Sequence, residues 1–447
     1  MNGLLAINIA EVLRMIGGIL LAILILLTMI SIHEFGHYLA GKILKFKITE
    51  FSIGFGPAIY KKRSKKTGEL FAVRIIPLGG YCAFDGEEYD EEDARLEAEQ
   101  KAKDGVEEPF EDFQSAEENQ ATMSALNVES DENAPTVSAM NSEANAEEKP
   151  NDETEYPQPQ GVRFNEQAPW KRIIVLVAGA LMNYLLALIL LIIMCFSYGV
   201  PMCIAIPVNY NGEELVPAEW TVEELACTDI IAAIEGRDIS MYTDCMDVLK
   251  GKKAGELVSV TVYRIVDVEV DGKPAKAWRQ KEVTMTLLAD ADFSNSADMP
   301  KLEEVMGFSI GTQSVRRDFL HTLGGAFHYS GEMATSVLRT LGELITGAFG
   351  KQTADVVGGP VSTIGQTAQV AIASPFSFLY IASFIGVNLA VFNLLPVPAL
   401  DGCKVIFCII EWIRKKPINR KVEMVVNLVG IVFLFGFAIL IDLLKLF

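Results

Sequence analysis

The sequence has little histidine and no obvious cysteine pairs. Four histidines (33, 37, 321 and 328) and seven cysteines (82, 195, 203, 227, 245, 403 and 408) are scattered over 447 residues. No Cys-x-x-Cys occurs, and the odd, dispersed count argues against a disulfide framework. Cys227 and Cys245 fall in one predicted domain, yet free thiols are the expectation even there. A basic excess is also missing. The net charge is -20, and no nucleic-acid partner is expected. That acidity is local: residues 85–155 hold 25 acidic and 4 basic side chains, so the rest of the chain is close to neutral. The charge therefore describes one segment and says nothing about a core or a substrate.

Charge is missing altogether from several long runs. Half of the residues are hydrophobic, and the mean hydropathy is +0.28. A bilayer crossing needs about 20 apolar residues at about 1.5 Å rise each. Four stretches meet that length: 15–32, continuing as helix to about 44; 173 to near 198; 376–395; and 424–441. The first apolar run is too long for a signal peptide core and reads as a retained span. Basic clusters follow the first span (Lys42, Lys45, Lys47 and KKRSKK at 61–66), precede the second (Lys171, Arg172), and separate the third from the fourth. Four spans place all three clusters on one side, which the positive-inside rule makes cytoplasmic, with both termini outside.

The expected organisation follows. Residues 1–84 hold the first span and a β-hairpin. Residues 85–165 form an acidic insert, too polar to bury a core and expected to be disordered; a solvated linker and a docking tail are both open. Residues 166–200 hold the second span. Residues 201–295 read as an outer β-rich domain, with period-two alternation at 256–264 and 281–289 and a strand-turn-strand at 229–239. Residues 296–355 read as outer-face helices whose apolar side carries Phe319, Leu323, Phe327, Leu338, Leu341 and Ile345. Residues 356–447 hold the last two spans. FAVRIIPLGGYCAF (71–84) alternates and is expected to turn at Gly79-Gly80.

HEFGH (33–37) closes the first apolar run. Ionisable groups there are costly and mark function. His33 and His37 share a helix face at i and i+4, a spacing that offers two imidazoles to zinc with Glu34 beside a metal-bound water. Chance packing of two helix histidines is the plain alternative. Catalytic zinc takes a third protein ligand. Asp401 ends the third apolar run, the first and third spans both point inward, and the two sites reach similar depth. Lys42 lies nine residues beyond His33, or about 13 Å of helix, so the site falls inside the membrane. An interfacial helix cap is the plain alternative for Asp401. His321 and His328 read as surface residues of the outer helices.

HEFGH with NLLPVPALDG (393–402) resembles the site-two protease family of zinc intramembrane metalloproteases. FSIGFGP (51–57), RIIPLGGY (74–81), GGPVSTIGQTA (358–368) and the Asn183 of AGALMNYLLA resemble its bacterial regulator-of-sigma-E protease branch, which carries an inserted PDZ domain. The resemblance spans nearly the whole chain apart from the acidic insert. It implies a polytopic α-helical membrane protein of about four transmembrane helices, with a membrane-associated β-hairpin and an inserted extracytoplasmic PDZ-like domain. It implies Zn2+ on His33, His37 and Asp401, Glu34 as catalytic base, and substrate contacts from Asn393, Gly79 and Gly80. For Asn393, helix packing is the plain alternative. It implies intramembrane cleavage of transmembrane protein substrates already trimmed by an upstream site-one type protease, with anti-sigma factors or remnant signal peptides as substrate classes. The implied location is the bacterial cytoplasmic membrane, in its lipid bilayer, with the active site near the cytoplasmic side. Cys403 stands where the family commonly has a second Gly, and the PDZ-like segment lacks a clear Gly-Leu carboxylate-binding loop. Peptide binding and size filtering are both open for that domain. Two rival readings are a catalytically silent membrane scaffold that binds helices and an ion transporter; the latter would need inverted repeats, and the sequence has none.

Overall fold

The computed structural model describes residues 9–87, 156–206, 225, 229–240, 242–270, 273–293, 302–346 and 360–446. Most of the acidic insert (88–155), part of the β-rich segment (207–224) and Cys227 lie outside those residues.

Among the described residues, four helices are long and apolar enough to cross a membrane. They are α1 (Ile9–Ile43), α2 (Pro169–Tyr198), α7 (Pro375–Asn393) and α9 (Arg420–Leu446). Each matches an expected span to within a few residues at the apolar end. Proline opens two of them, where its missing N–H costs no helical hydrogen bond. Pro169 lies in the first turn of α2 and Pro375 in that of α7, where Ser374 also accepts a hydrogen bond from the Ser377 amide.

Two long strands, β1 (Ile48–Arg63) and β2 (Leu70–Phe84), follow α1 and pair antiparallel. The chain reverses direction between 73 and 80, near the turn expected within 71–84, but its two arms are held apart. Residues 50–53 lie between 80–83 on one side and 70–73 on the other, so the two halves of β2 never pair with each other. β1 folds back as well, at Gly54 and Gly56, whose φ of +89° and +81° favour glycine, and 58–63 returns along 70–74. The reversing turn is Ser64–Gly68, where the Gly68 amide donates to the Ser64 carbonyl.

The roots of the acidic insert are ordered, which narrows the expected 85–165 boundary. Phe164 stacks into the Phe46 and Phe84 rings, at centroid distances of 5.5 and 5.6 Å. The Lys47 amide donates to the Val162 carbonyl and the Val162 amide to the Lys45 carbonyl. Asp85 binds Lys47 and, at 2.9 Å, the Arg163 guanidinium. Three aromatic rings and a charge cluster close the insert, signals that composition alone does not register.

The β-rich segment is a six-stranded sheet in the order β7-β6-β4-β3-β8, with β5 beside β4. Its strands are β3 (Val200–Ile206), β4 (Ile230–Ile234), β5 (Arg237–Asp238), β6 (Leu257–Val270), β7 (Lys273–Thr286) and β8 (Ser309–Val315). Helices α3 (Tyr242–Leu249) and α4 (Leu302–Met306) cover its core of Ile231, Ile234, Val258, Val260, Val283 and Met285. The domain therefore runs to 315 rather than 295. β8 reads SIGTQSV, too polar to announce a strand, and is held by pairing all along β3. Helix α5 (Phe319–Thr346) packs inward through Ala326, Tyr329, Met333 and Val337, while Phe319, Phe327 and Leu338 stay exposed. The expected apolar side is thus the side turned away from the protein, as a helix lying on lipid would have it. Two further helices, α6 (Pro360–Ala371) and α8 (Asp401–Arg414), flank α7.

Burial opposes ionisation of Asp85, but Lys47 and Arg163 outweigh it and hold its carboxyl below the usual carboxylate range. Its stabilisation is then present above about pH 4 and is lost as pH falls further. Asp85→Asn should cost about 1 kcal/mol of thermal stability at pH 7. Melting of both proteins at pH 7 and pH 3 checks this: the difference should be smaller in acid.

Candidate metal centre

The site forms where α1 meets α2. Gly36 of α1 faces Ala178, and a β-carbon at Gly36 would lie 2.4 Å from the Ala178 carbonyl oxygen. Opposite, a β-carbon at Gly179 would lie 2.5 Å from His37 Nε2 and 2.7 Å from His33 Cε1. Small residues let these helices touch by backbone, and the room left by Gly179 holds both imidazoles.

His33 and His37 are each 7 % exposed, and their Nε2 atoms stand 3.1 Å apart. Asp401 Oδ2 lies 3.0 Å from His33 Nε2 and 3.4 Å from His37 Nε2. The Nδ1–H of His37 donates to the Val175 carbonyl at 2.8 Å, which leaves the Nε2 lone pair facing the group. Zinc at about 2.0–2.1 Å from each ligand sets tetrahedral edges of about 3.3 Å. The three observed edges match that, and the three donor atoms form a group able to hold a metal ion. Without a cation, the lone pairs of two imidazoles and a carboxylate would crowd one point at a cost.

Around His33 the polar contacts fit the same assignment. Its Nδ1 lies 3.4 Å from the Asn183 amide, whose Oδ1 is buried without a partner. With Oδ1 turned to His33, that oxygen accepts the Nδ1–H and Nε2 is free for metal. Asn393 Nδ2 lies 3.3 Å from the same ring.

Asp401 arrives by a break in the chain. Pro396 and Pro398 end the helical run after α7, and Ala399 has φ of +77° just before α8 starts at Asp401. Arg172 of α2 and Glu411 of α8, both buried, form an ion pair that ties the Asp401 helix to the histidine side.

A cavity of about 330 Å³ opens on the group, lined by His33, Glu34, Asn183, Asn393 and Asp401 and walled by Gly79 and Gly80. A β-carbon at Gly80 would be 3.3 Å from Glu34 Cγ, so the β2 strand borders the carboxylate directly. Every predicted site residue therefore meets in one place. His321 pairs with Asp318 at 2.5 Å and His328 contacts Ser240 at 2.7 Å, both away from the donor group. Cys403 is buried but is not part of the three-residue group. Sequence reasoning missed Gly179 and the Val175 carbonyl; the run Ala178-Gly179-Ala180 opposite Gly36 was the available signal.

The helices and the donor set define a multi-pass membrane metalloprotein. A family model described as peptidase family M50 matches residues 21–437, and the chain belongs to that family. It is similar to the zinc metalloprotease RasP of Bacillus licheniformis, with 27 % identity over 429 residues, covering 92 % of this chain and 94 % of that one. The regulator of sigma-W protease RasP of Bacillus subtilis is 27 % identical over 433 residues, with the same coverage. A putative zinc metalloprotease of Streptococcus pneumoniae is 26 % identical over 455 residues, covering 96 % and 99 %. The chain is a zinc metalloendopeptidase.

Gly179→Ala should push the imidazoles apart and weaken zinc binding about 10- to 100-fold, the usual effect of disturbing a ligand's support. Chelator competition at unchanged helix content measures it; unaltered affinity would mean that Gly179 does not set the ligand positions.

Proposed function

We propose that this protein cuts single-span membrane proteins within or beside their transmembrane helix, after another protease has removed their outer part. His33, His37 and Asp401 hold the zinc, and Glu34 is the catalytic base. One observation carries the reading: His33 and Asp401 of the donor triad, Glu34 and the Gly79–Gly80 stretch of β2 line a single cavity at the ends of apolar helices.

Bound there, zinc supplies Lewis-acid activation of water and of the scissile carbonyl. Glu34 takes a proton from the attacking water and passes it to the leaving amide nitrogen. A helical substrate hides its peptide bonds in its own hydrogen bonds, so it must unwind before it can be cut. The β2 strand at Gly79–Gly80 offers replacement backbone partners by strand addition and lays the substrate across Glu34. Asn393, beside His33 and open to the cavity, contacts the substrate strand from the other side.

The basic clusters put the site toward the cytoplasm and the six-stranded sheet outside the cytoplasmic membrane of a bacterium. That sheet, a PDZ-like domain in this reading, and α5 exclude substrates that keep a bulky outer domain. Anti-sigma factors and remnant signal peptides are the substrate classes; the Bacillus subtilis relative is named as a regulator of sigma-W protease.

Purified protein should cleave a trimmed single-span reporter and leave the untrimmed form intact. Glu34→Gln should keep its zinc and lose at least about 10²-fold in rate. Equal cleavage by both proteins would remove Glu34 from the mechanism, and equal cleavage of both reporters would remove the filter.

A further inference from the structure

Helix α8 has 14 residues, about 21 Å, and is too short to cross a bilayer. It lies in the chain between α7 and α9, two helices long and apolar enough to span. Gly402 and Cys403 bury its first turn, and beyond that turn Cys408 and Glu411 mark the buried side. The other shows Ile406, Ile409, Ile410 and Ile413, spaced i, i+3, i+4 and i+7, and exposed by 38, 39, 36 and 77 %. Trp412, 57 % exposed, sits at the flank of this stripe. Arg414, Lys415 and Lys416 then follow, all exposed and with no acidic partner among the described residues. Lys415 takes a left-handed conformation that turns the chain out of the helix.

A face of four isoleucines bordered by tryptophan and ended by three cations matches one environment, the boundary between acyl chains and anionic headgroups. A second copy fits poorly, because pairing the faces of two such helices adds cationic ends to one interface. We propose that α8 rises from the metal centre to the cytoplasmic headgroup layer and binds anionic phospholipid there, with its isoleucines among the acyl chains and Arg414, Lys415 and Lys416 on the phosphates. Asp401 is the first residue of this helix, so the lipid contact also seats the carboxylate of the metal centre. The inference concerns lipid contact and does not depend on which substrate is cut.

The full chain has four tryptophans. Replacing Trp170, Trp220 and Trp278 by Phe leaves Trp412 as sole reporter. The protein is reconstituted in phosphatidylcholine vesicles holding equal amounts of either brominated phosphatidylcholine or brominated phosphatidylglycerol. Both lipids should quench Trp412, and the phosphatidylglycerol should do so several-fold more strongly. Arg414→Gln, Lys415→Gln and Lys416→Gln together should erase the difference and keep the phosphatidylcholine quenching. Should that variant fail to fold, high salt on the parent protein should shrink the difference in the same way. Equal quenching by the two lipids, no quenching by either, or a preference untouched by both salt and substitution would overturn the proposal.

Discussion

The contact between α1 and α2 governs the site. Gly36 against Ala178 and Gly179 against the two imidazoles bring the helices together by backbone rather than by side chain. Only at that separation can His37 donate to the Val175 carbonyl, and only then do both Nε2 atoms turn the same way. Lipid offers no hydrophobic gain for pairing one apolar helix with another, so close packing and hydrogen bonds must hold the pair. The buried Arg172–Glu411 ion pair extends the same contact to α8, and through it to Asp401. Breaking one partner of such a pair leaves an unpaired buried charge, which is why it serves as a fixed link.

The folded-back sheet of β1 and β2 solves a second problem. Under the proposed function, cutting a helix calls for a strand edge at membrane depth, where unpaired backbone is costly. The sheet satisfies most of its own groups internally and brings Gly80 beside Glu34. Its base is set by the Phe46, Phe84 and Phe164 rings and by Asp85 between Lys47 and Arg163. The acidic insert thus leaves and re-enters the molecule at the base of the element that borders the cavity.

Much of this is legible in the sequence, and the reason is residue chemistry. His33, Glu34 and His37 stand out because charge and imidazole are rare in an apolar run. Asp401 follows from span direction, since two inward helices end at the same depth. The spans themselves follow from length. Gly179 is not legible, because a missing side chain has no signature until its neighbour is known. The path of β1 and β2 is hidden for a related cause: alternation and the glycines of 71–84 mark a strand and its reversal but do not reveal that 50–53 comes between the arms, and Gly54 and Gly56 bend the preceding strand as well. β8 escapes notice because SIGTQSV lacks apolar period two and is a strand only by pairing with β3. The apolar side of α5 is readable from spacing, but not the direction in which it faces, which is outward.

X-ray absorption at the zinc edge of the loaded, full-length protein tests the ligand set most directly. Nitrogen and oxygen scatterers at about 2.0–2.1 Å, including two imidazoles, are the predicted first shell. A sulfur scatterer at about 2.3 Å would bring Cys403 into the site in place of Asp401 and contradict the account.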